Sequence, residues 1–332
     1  MALNSSLVGT SGESLAGEID TRWTMAYAAA LGDSLPCYLD TASPAGIVAH
    51  PLFPVCFEWP VMVAMRATFD RSGLTPDEAR RGVHASHDLI IHRRIRPSAR
   101  VQTRATVAGI ERRKPGAYQL TCLEIVDAAG APICTSWYGS IYREVAVAGP
   151  DRMAEAAPAP AVLREARREP LSEIPIPVAA SLAHVYTECA RIFNPIHTDA
   201  AVAQQAGLSA IILHGTATLA LAVSKIVATE ARGDPLPVSR IAGRFGAMVM
   251  MPSQVMLRIC AREPAYDGDR IFFEVLNDQN RPAIRDGLVV LAPPNGEQRW
   301  KSGLQWRLRP ESRWKSPPST SKAPKQARCW LR

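Results

Sequence analysis

The chain has 332 residues, 47% of them hydrophobic, which is enough for sizeable cores and, at this length, for two domains. Its formal net charge of +7 is unevenly spread: residues 299–332 hold ten Lys/Arg and one acid, Glu311, so residues 1–298 net −2. The body therefore lacks the basic balance of a nucleic-acid-binding surface, no uninterrupted apolar run of about 18 residues marks a membrane span, and the seven scattered cysteines, with no C-x-x-C pair, read as reduced thiols of a cytoplasmic protein, a peroxisomal or mitochondrial location staying open.

Residues 1–17 are polar, without the basic start and apolar stretch of a secretory signal, and read as disordered. A short amphipathic helix over 23–32 closes on Gly32. The apolar run 53–69 reads as a helix, with Pro54 and Pro60 at its start or kinking it. Strands follow at 86–95, 101–112, 118–126 and 133–142, rich in β-branched and apolar residues and separated by Pro- and Gly-containing turns. His84, His87 and His92 lie in or beside the first of them, at a spacing too uneven for a metal trio. The Ala/Pro-rich stretch 147–177 reads as a linker between an N-terminal domain, 18–146, and a C-terminal domain, 178–292.

The second half repeats the order of the first. A helix over 178–190 precedes an apolar helix over 215–230, and strands follow at 240–249, 254–261, 270–276 and 288–292. The apolar helix has a lone charge in its first fourteen residues, Lys225, so it needs cover on every side; a curved antiparallel sheet wrapped around it supplies that cover. Residues 293–332, which include four of the seven tryptophans among the basic residues, read as a disordered tail.

Between the two helices of this half, residues 193–215 run Phe-Asn-Pro-Ile-His-Thr-Asp-Ala-Ala-Val-Ala-Gln-Gln-Ala-Gly-Leu-Ser-Ala-Ile-Ile-Leu-His-Gly. Pro195 keeps Asn194 out of the helical region and stiffens the loop that presents His197, a side chain that titrates near neutrality. Thr198 is placed to cap a helix that starts at Asp199 and ends before Gly207. Gly215 opens the long helix, where free N–H groups attract negative charge and the missing side chain lets a ligand approach the backbone. A general base beside a cluster of N–H donors suits acyl-thioester chemistry.

This segment resembles the MaoC-like enoyl-thioester hydratases and dehydratases, whose motif runs roughly Ser-Gly-Asp-x-Asn-Pro-x-His, then a helix, then an apolar run closing on His-Gly. Asn194, Pro195, His197, Gly207, His214 and Gly215 match it. The resemblance covers about residues 18–292 and is sharper in the second half. It implies an α+β double hot-dog, each half a long helix wrapped by a curved antiparallel sheet. It also implies reversible hydration and dehydration of a 2-enoyl or 3-hydroxyacyl thioester carried by coenzyme A or a carrier protein, with no metal or cofactor. By the same resemblance His197 is the base and acid, the Gly215 N–H stabilises the enolate with Thr216 as a second donor, and Asn194 orients the loop.

Where the family carries its catalytic aspartate, this chain has Ile192. Glu188, four residues earlier on the same helical face, is the nearest carboxylate and is expected to substitute in part. Ile192, His214, Thr216 and Arg244 are expected to line the substrate, Arg244 reaching the carrier phosphates together with the basic cluster 93–96. The first half lacks the motif and reads as a degenerate partner whose helix 53–69 shapes an acyl tunnel. A homodimer, or a heterodimer with a homologue, is the expected assembly. Three other readings stay open: a non-catalytic acyl-thioester-binding subunit, a lyase or isomerase acting on a polyketide-type thioester, and an interaction protein working through its basic tail.

Overall fold

The computed structural model describes residues 2–67, 73–159 and 169–293. The first half runs β1 (Ala2–Asn4), β2 (Leu15–Glu18), α1 (Thr21–Ala30), α2 (Pro36–Leu39), α3 (Val55–Ala67), α4 (Pro76–Arg80), β3 (Gly82–Ile91), β4 (Arg100–Arg113), β5 (Gly116–Asp127), β6 (Pro132–Arg143), β7 (Ala146–Ala148) and β8 (Arg152–Met153). The second runs β9 (Ser172–Val178), α5 (Leu182–Ala190), α6 (Ala200–Gln205), α7 (Gly215–Glu230), β10 (Val238–Phe245), β11 (Ser253–Glu263), β12 (Asp269–Leu276) and β13 (Pro282–Leu291).

One antiparallel sheet runs through both halves in the order β2-β4-β5-β6-β3-β10-β13-β12-β11-β9, with β8 beside β4. The halves join where β3 pairs with β10, from Arg240 opposite Ile90 to Arg244 opposite Ser86. Arg240 clasps Asp88 across that seam with two hydrogen bonds of 2.8 and 2.5 Å, a bidentate geometry that fixes register as well as charge. Each half wraps its sheet around a central helix, α3 in the first and α7 in the second. On α7 every residue from Ala217 to Ser224 is buried, as an all-round apolar helix demands. The largest apolar cluster joins Phe53 and Phe57 of the first half to Leu219, Val223 and Ile259 of the second.

Several boundaries depart from the sequence reading. The opening residues, expected to be disordered, include β1, which pairs in parallel with β7, and Leu3 and Leu7 are buried in the core around α3. Burial of these two side chains offsets the entropy of ordering a polar segment. The stretch expected to be a linker holds β8 and β9. Pro175 and Pro177 lie on β9, which among the described residues pairs with β11 alone, and an edge strand tolerates residues without an N–H. Pro54 precedes α3 and Pro60 lies within it. The tail from residue 294 onward lies outside the described residues. Among the described residues no helix is long and apolar enough to cross a membrane.

Candidate active site

α5 buries Ala183, Tyr186, Thr187 and Ala190. It stops at Arg191, whose left-handed backbone (φ 57°) turns the chain back, so that the Ile192 N–H donates to the Thr187 carbonyl at 3.1 Å. The turn is held from outside: the Arg191 guanidinium lies 3.7 Å from the centre of the Trp23 ring, and Trp23 Nε1 donates to the Cys189 carbonyl at 2.8 Å. Ile192 itself is buried.

The Asn194 N–H then donates to the Ile192 carbonyl, and the Asn194 carbonyl accepts from the His197 N–H, each at 3.1 Å. Asn194 thus orients the loop through its backbone, and His197 closes a 3-10 turn over Pro195–His197. The helix that follows is capped one residue later than expected. Asp199, not Thr198, accepts from the N–H groups of Ala201 and Val202, because a carboxylate at the N-cap reaches both.

His197 Nδ1 lies 2.8 Å from the Ile212 carbonyl. A carbonyl can only accept, so Nδ1 carries the proton and Nε2 keeps its lone pair. Burial pushes the imidazole down to about 4, against an opposing pull from the Ile212 hydrogen bond. At neutral pH His197 is therefore an uncharged base. Its ring stacks on His214 at 3.7 Å, and His214 Nε2 pairs with Thr187 Oγ1 at 3.2 Å. Burial, with the neighbouring His197 acting in the same direction, pushes His214 down to about 2, and the Ile192 carbonyl opposes it.

His214 is also the N-cap of α7, and its side chain makes no capping hydrogen bond. The first N–H groups of a helix have no partner within it, so Gly215 and Thr216 are positioned to stabilise a developing oxyanion. A side chain at Gly215 would meet the Phe245 ring at 3.0 Å, so this glycine keeps an aromatic wall in close contact with the helix start. The Thr216 hydroxyl accepts from Tyr186 at 3.3 Å, and Tyr186 lies 3.2 Å from the Tyr27 hydroxyl. Burial pushes both tyrosines up, which keeps them protonated as neutral hydrogen-bonding groups.

The structure brings Ile192, Asn194, His197, His214, Gly215 and Thr216 together and leaves two expected residues outside. Glu188 is exposed on α5, and among the described residues no carboxylate contacts His197. The neighbouring Arg191 covers Trp23. Arg244 is exposed and lies 3.3 Å from Asp286. In the basic cluster, Arg93 pairs with Asp127 at 2.7 Å, and Arg94 and Arg96 donate to the carbonyls of Val238 and Ala45. Sequence reasoning missed Tyr186, Thr187 and Phe245. The first two share the buried face of α5, a pattern visible in the helical spacing, whereas nothing local marks Phe245 as a neighbour of Gly215. Among the described residues no group of side chains has the make-up of a metal site.

Residues 162–277 match the family model of the MaoC-like domain, and residues 6–136 match that of the FAS1-like dehydratase domain region. The chain carries a MaoC-like domain. Its match to the peroxisomal enoyl-CoA hydratase 2 of Arabidopsis thaliana is 31% identical over 97 residues, 29% of this chain and 30% of that protein. The chain is thus similar to less than a third of that relative's length. In three dimensions it is similar to a MaoC-like dehydratase from Phytophthora capsici, with a TM-score of 0.71 and 19% identity over 84% of this chain and 95% of that one. It is also similar to a Mycobacterium tuberculosis protein described as having a double hot-dog fold, with a TM-score of 0.55 and 15% identity over 86% and 96% of the two chains. The fold of the chain is the double hot-dog, and the MaoC-like half is the one that holds His197 and Gly215.

Proposed function

We propose that the chain acts on an acyl thioester carried by coenzyme A or a carrier protein, adding water to a 2-enoyl group or removing it from a 3-hydroxyacyl group. One observation supports this reading above all: an imidazole fixed by the Ile212 carbonyl, with a basic Nε2, lies in the loop that leads to the uncapped start of α7. With the thioester carbonyl at the N–H groups of Gly215 and Thr216, His197 Nε2 takes a proton from water as the water oxygen bonds to the β-carbon. The electron pair of the double bond moves onto the carbonyl oxygen as an enolate held by those N–H groups. The imidazolium then returns its proton to the α-carbon, so the addition is balanced with one residue serving as base and then acid.

Ile192 favours a second reading, a subunit that binds acyl thioesters without turning them over, because a buried isoleucine offers no hydrogen bond to the attacking water. The full-length protein, mixed with a panel of 2-enoyl thioesters and followed by loss of enoyl absorbance, separates the two. Turnover that disappears in His197→Ala supports the hydratase. Saturable binding without turnover supports the binding subunit.

A further inference from the structure

The sheet of the first half faces its helix with an unusual set of side chains. Apolar residues such as Val61, Met62, Met65, Val107 and Leu123 make most of that core, yet Glu58 of α3 and His87 of β3 are almost fully buried among them. The Ser136 hydroxyl donates to Glu58 Oε1. His87 Nε2 stands 3.7 Å from Glu58 Oε2, too far for a hydrogen bond, and among the described residues neither ring nitrogen of His87 has a hydrogen-bond partner. Burying an imidazole with neither nitrogen hydrogen-bonded is costly, and packing alone gives no return for it.

The cluster is connected to the site by touching rings. Phe245, the ring against Gly215, lies 4.6 Å from His84. His84 stacks on Tyr138 at 3.6 Å and lies 5.4 Å from His87. This line of rings runs from the start of α7 to the buried group His87, Glu58 and Ser136. The two methionines beside them are unbranched and repack readily around a guest.

We infer that an acyl chain held at Gly215 extends along these rings and that the cluster selects acyl groups carrying a hydroxyl distant from the thioester, which accepts from His87 Nε2 and donates to Glu58 Oε2. The inference rests on the acyl-thioester reading of the His197 site. Glu58 and His87 are specificity-determining residues and take no part in the chemical step.

The test compares two coenzyme A thioesters of the same chain length, a plain 2-enoyl group and one with a distal hydroxyl, across chains of six to twelve carbons. Binding is read from calorimetry and turnover from enoyl absorbance, on the full-length protein and on Glu58→Leu and His87→Phe variants shown to be folded by circular dichroism. At the best chain length we expect the hydroxylated thioester to bind at least tenfold tighter. That preference falls below twofold in either variant, while the plain thioester binds at least as well as before. Equal binding of the two thioesters by the native protein at every length overturns the inference, as does a preference that survives both substitutions. Selective binding without turnover upholds the inference and rejects the hydratase reading. Should neither variant fold, Ser136→Ala, which leaves charge and volume nearly unchanged, is expected to weaken the preference severalfold, and an unchanged preference overturns the inference.

Discussion

His197 and His214 stack with ring centroids 3.7 Å apart and planes 27° from parallel. Each ring is fixed at one nitrogen, His197 by the Ile212 carbonyl and His214 by the Thr187 hydroxyl. This arrangement requires both imidazoles to be neutral, since a charge on one would lie desolvated against the other. The pair thus supplies a rigid base at neutral pH, held without the carboxylate that usually positions such a histidine.

The pH dependence of activity follows. A base that ordinarily titrates near 6.5 but is pushed down to about 4 keeps its lone pair throughout the neutral range. kcat/KM should stay flat from pH 8 to about 5 and fall tenfold per unit as the pH drops through about 4. A fall centred near 6.5 would show that His197 is exposed to solvent in the working enzyme.

Stability carries the opposite side of the same shifts. His50, pushed down to about 3 by full burial, accepts from the Leu52 N–H through Nδ1 and lies 3.1 Å from Ser224 through Nε2. With His92, His197 and His214, which burial also pushes down, it makes four histidines whose folded values lie below the unfolded one. Between those values the unfolded chain binds more protons, so stability falls as the pH drops from about 6.5 and goes on falling towards each folded value. Thermal unfolding from pH 8 to 4 should show Tm steady above 7 and declining below 6.5. Replacing His50 with Gln should remove part of that decline.

Gly215→Ala tests the close contact at the start of α7. The new methyl group would meet the Phe245 ring at 3.0 to 3.3 Å, so the ring must yield while the helix gains a better former. The variant should fold with little change in Tm and lose about ten- to a hundredfold in kcat/KM as the oxyanion position is disturbed. Combining it with Phe245→Leu should return part of that loss.

Much of this architecture could be read from the residues. α7 was visible end to end because its apolar side chains leave no polar face, and the Asn194–His197 and His214–Gly215 pairs located the site. β9 was hidden because Pro175 and Pro177 resemble a linker, and only its pairing with β11 at the sheet edge explains their place. Glu188 was expected at the site on helical spacing alone. The left-handed turn at Arg191 ends the helix before that spacing can apply to Ile192, and it leaves Glu188 in solvent. Phe245 and His84 meet only because β3 and β10 pair across the two halves, a long-range relationship with no local signature.

Ile192→Asp tests the missing acid directly. A carboxylate at this buried position, near His214, would be raised by desolvation and should cost about 1–3 kcal/mol of stability. In return it offers the attacking water a second acceptor. Hydration of a 2-enoyl thioester should rise at least tenfold above the native rate. No gain, with the variant folded, would show that the site does not place water beside residue 192.

The central claim is that His197 Nε2 is the base of an acyl-thioester hydratase. Its most direct test is the single-turnover hydration rate of the full-length protein on a 2-enoyl thioester, set beside His197→Ala and His197→Gln with thioester binding measured in parallel. The account predicts a loss of about 10²–10⁴-fold in rate for both variants, with binding changed less than threefold. A native rate retained in either variant, or no hydration by the native protein across the panel, would contradict it.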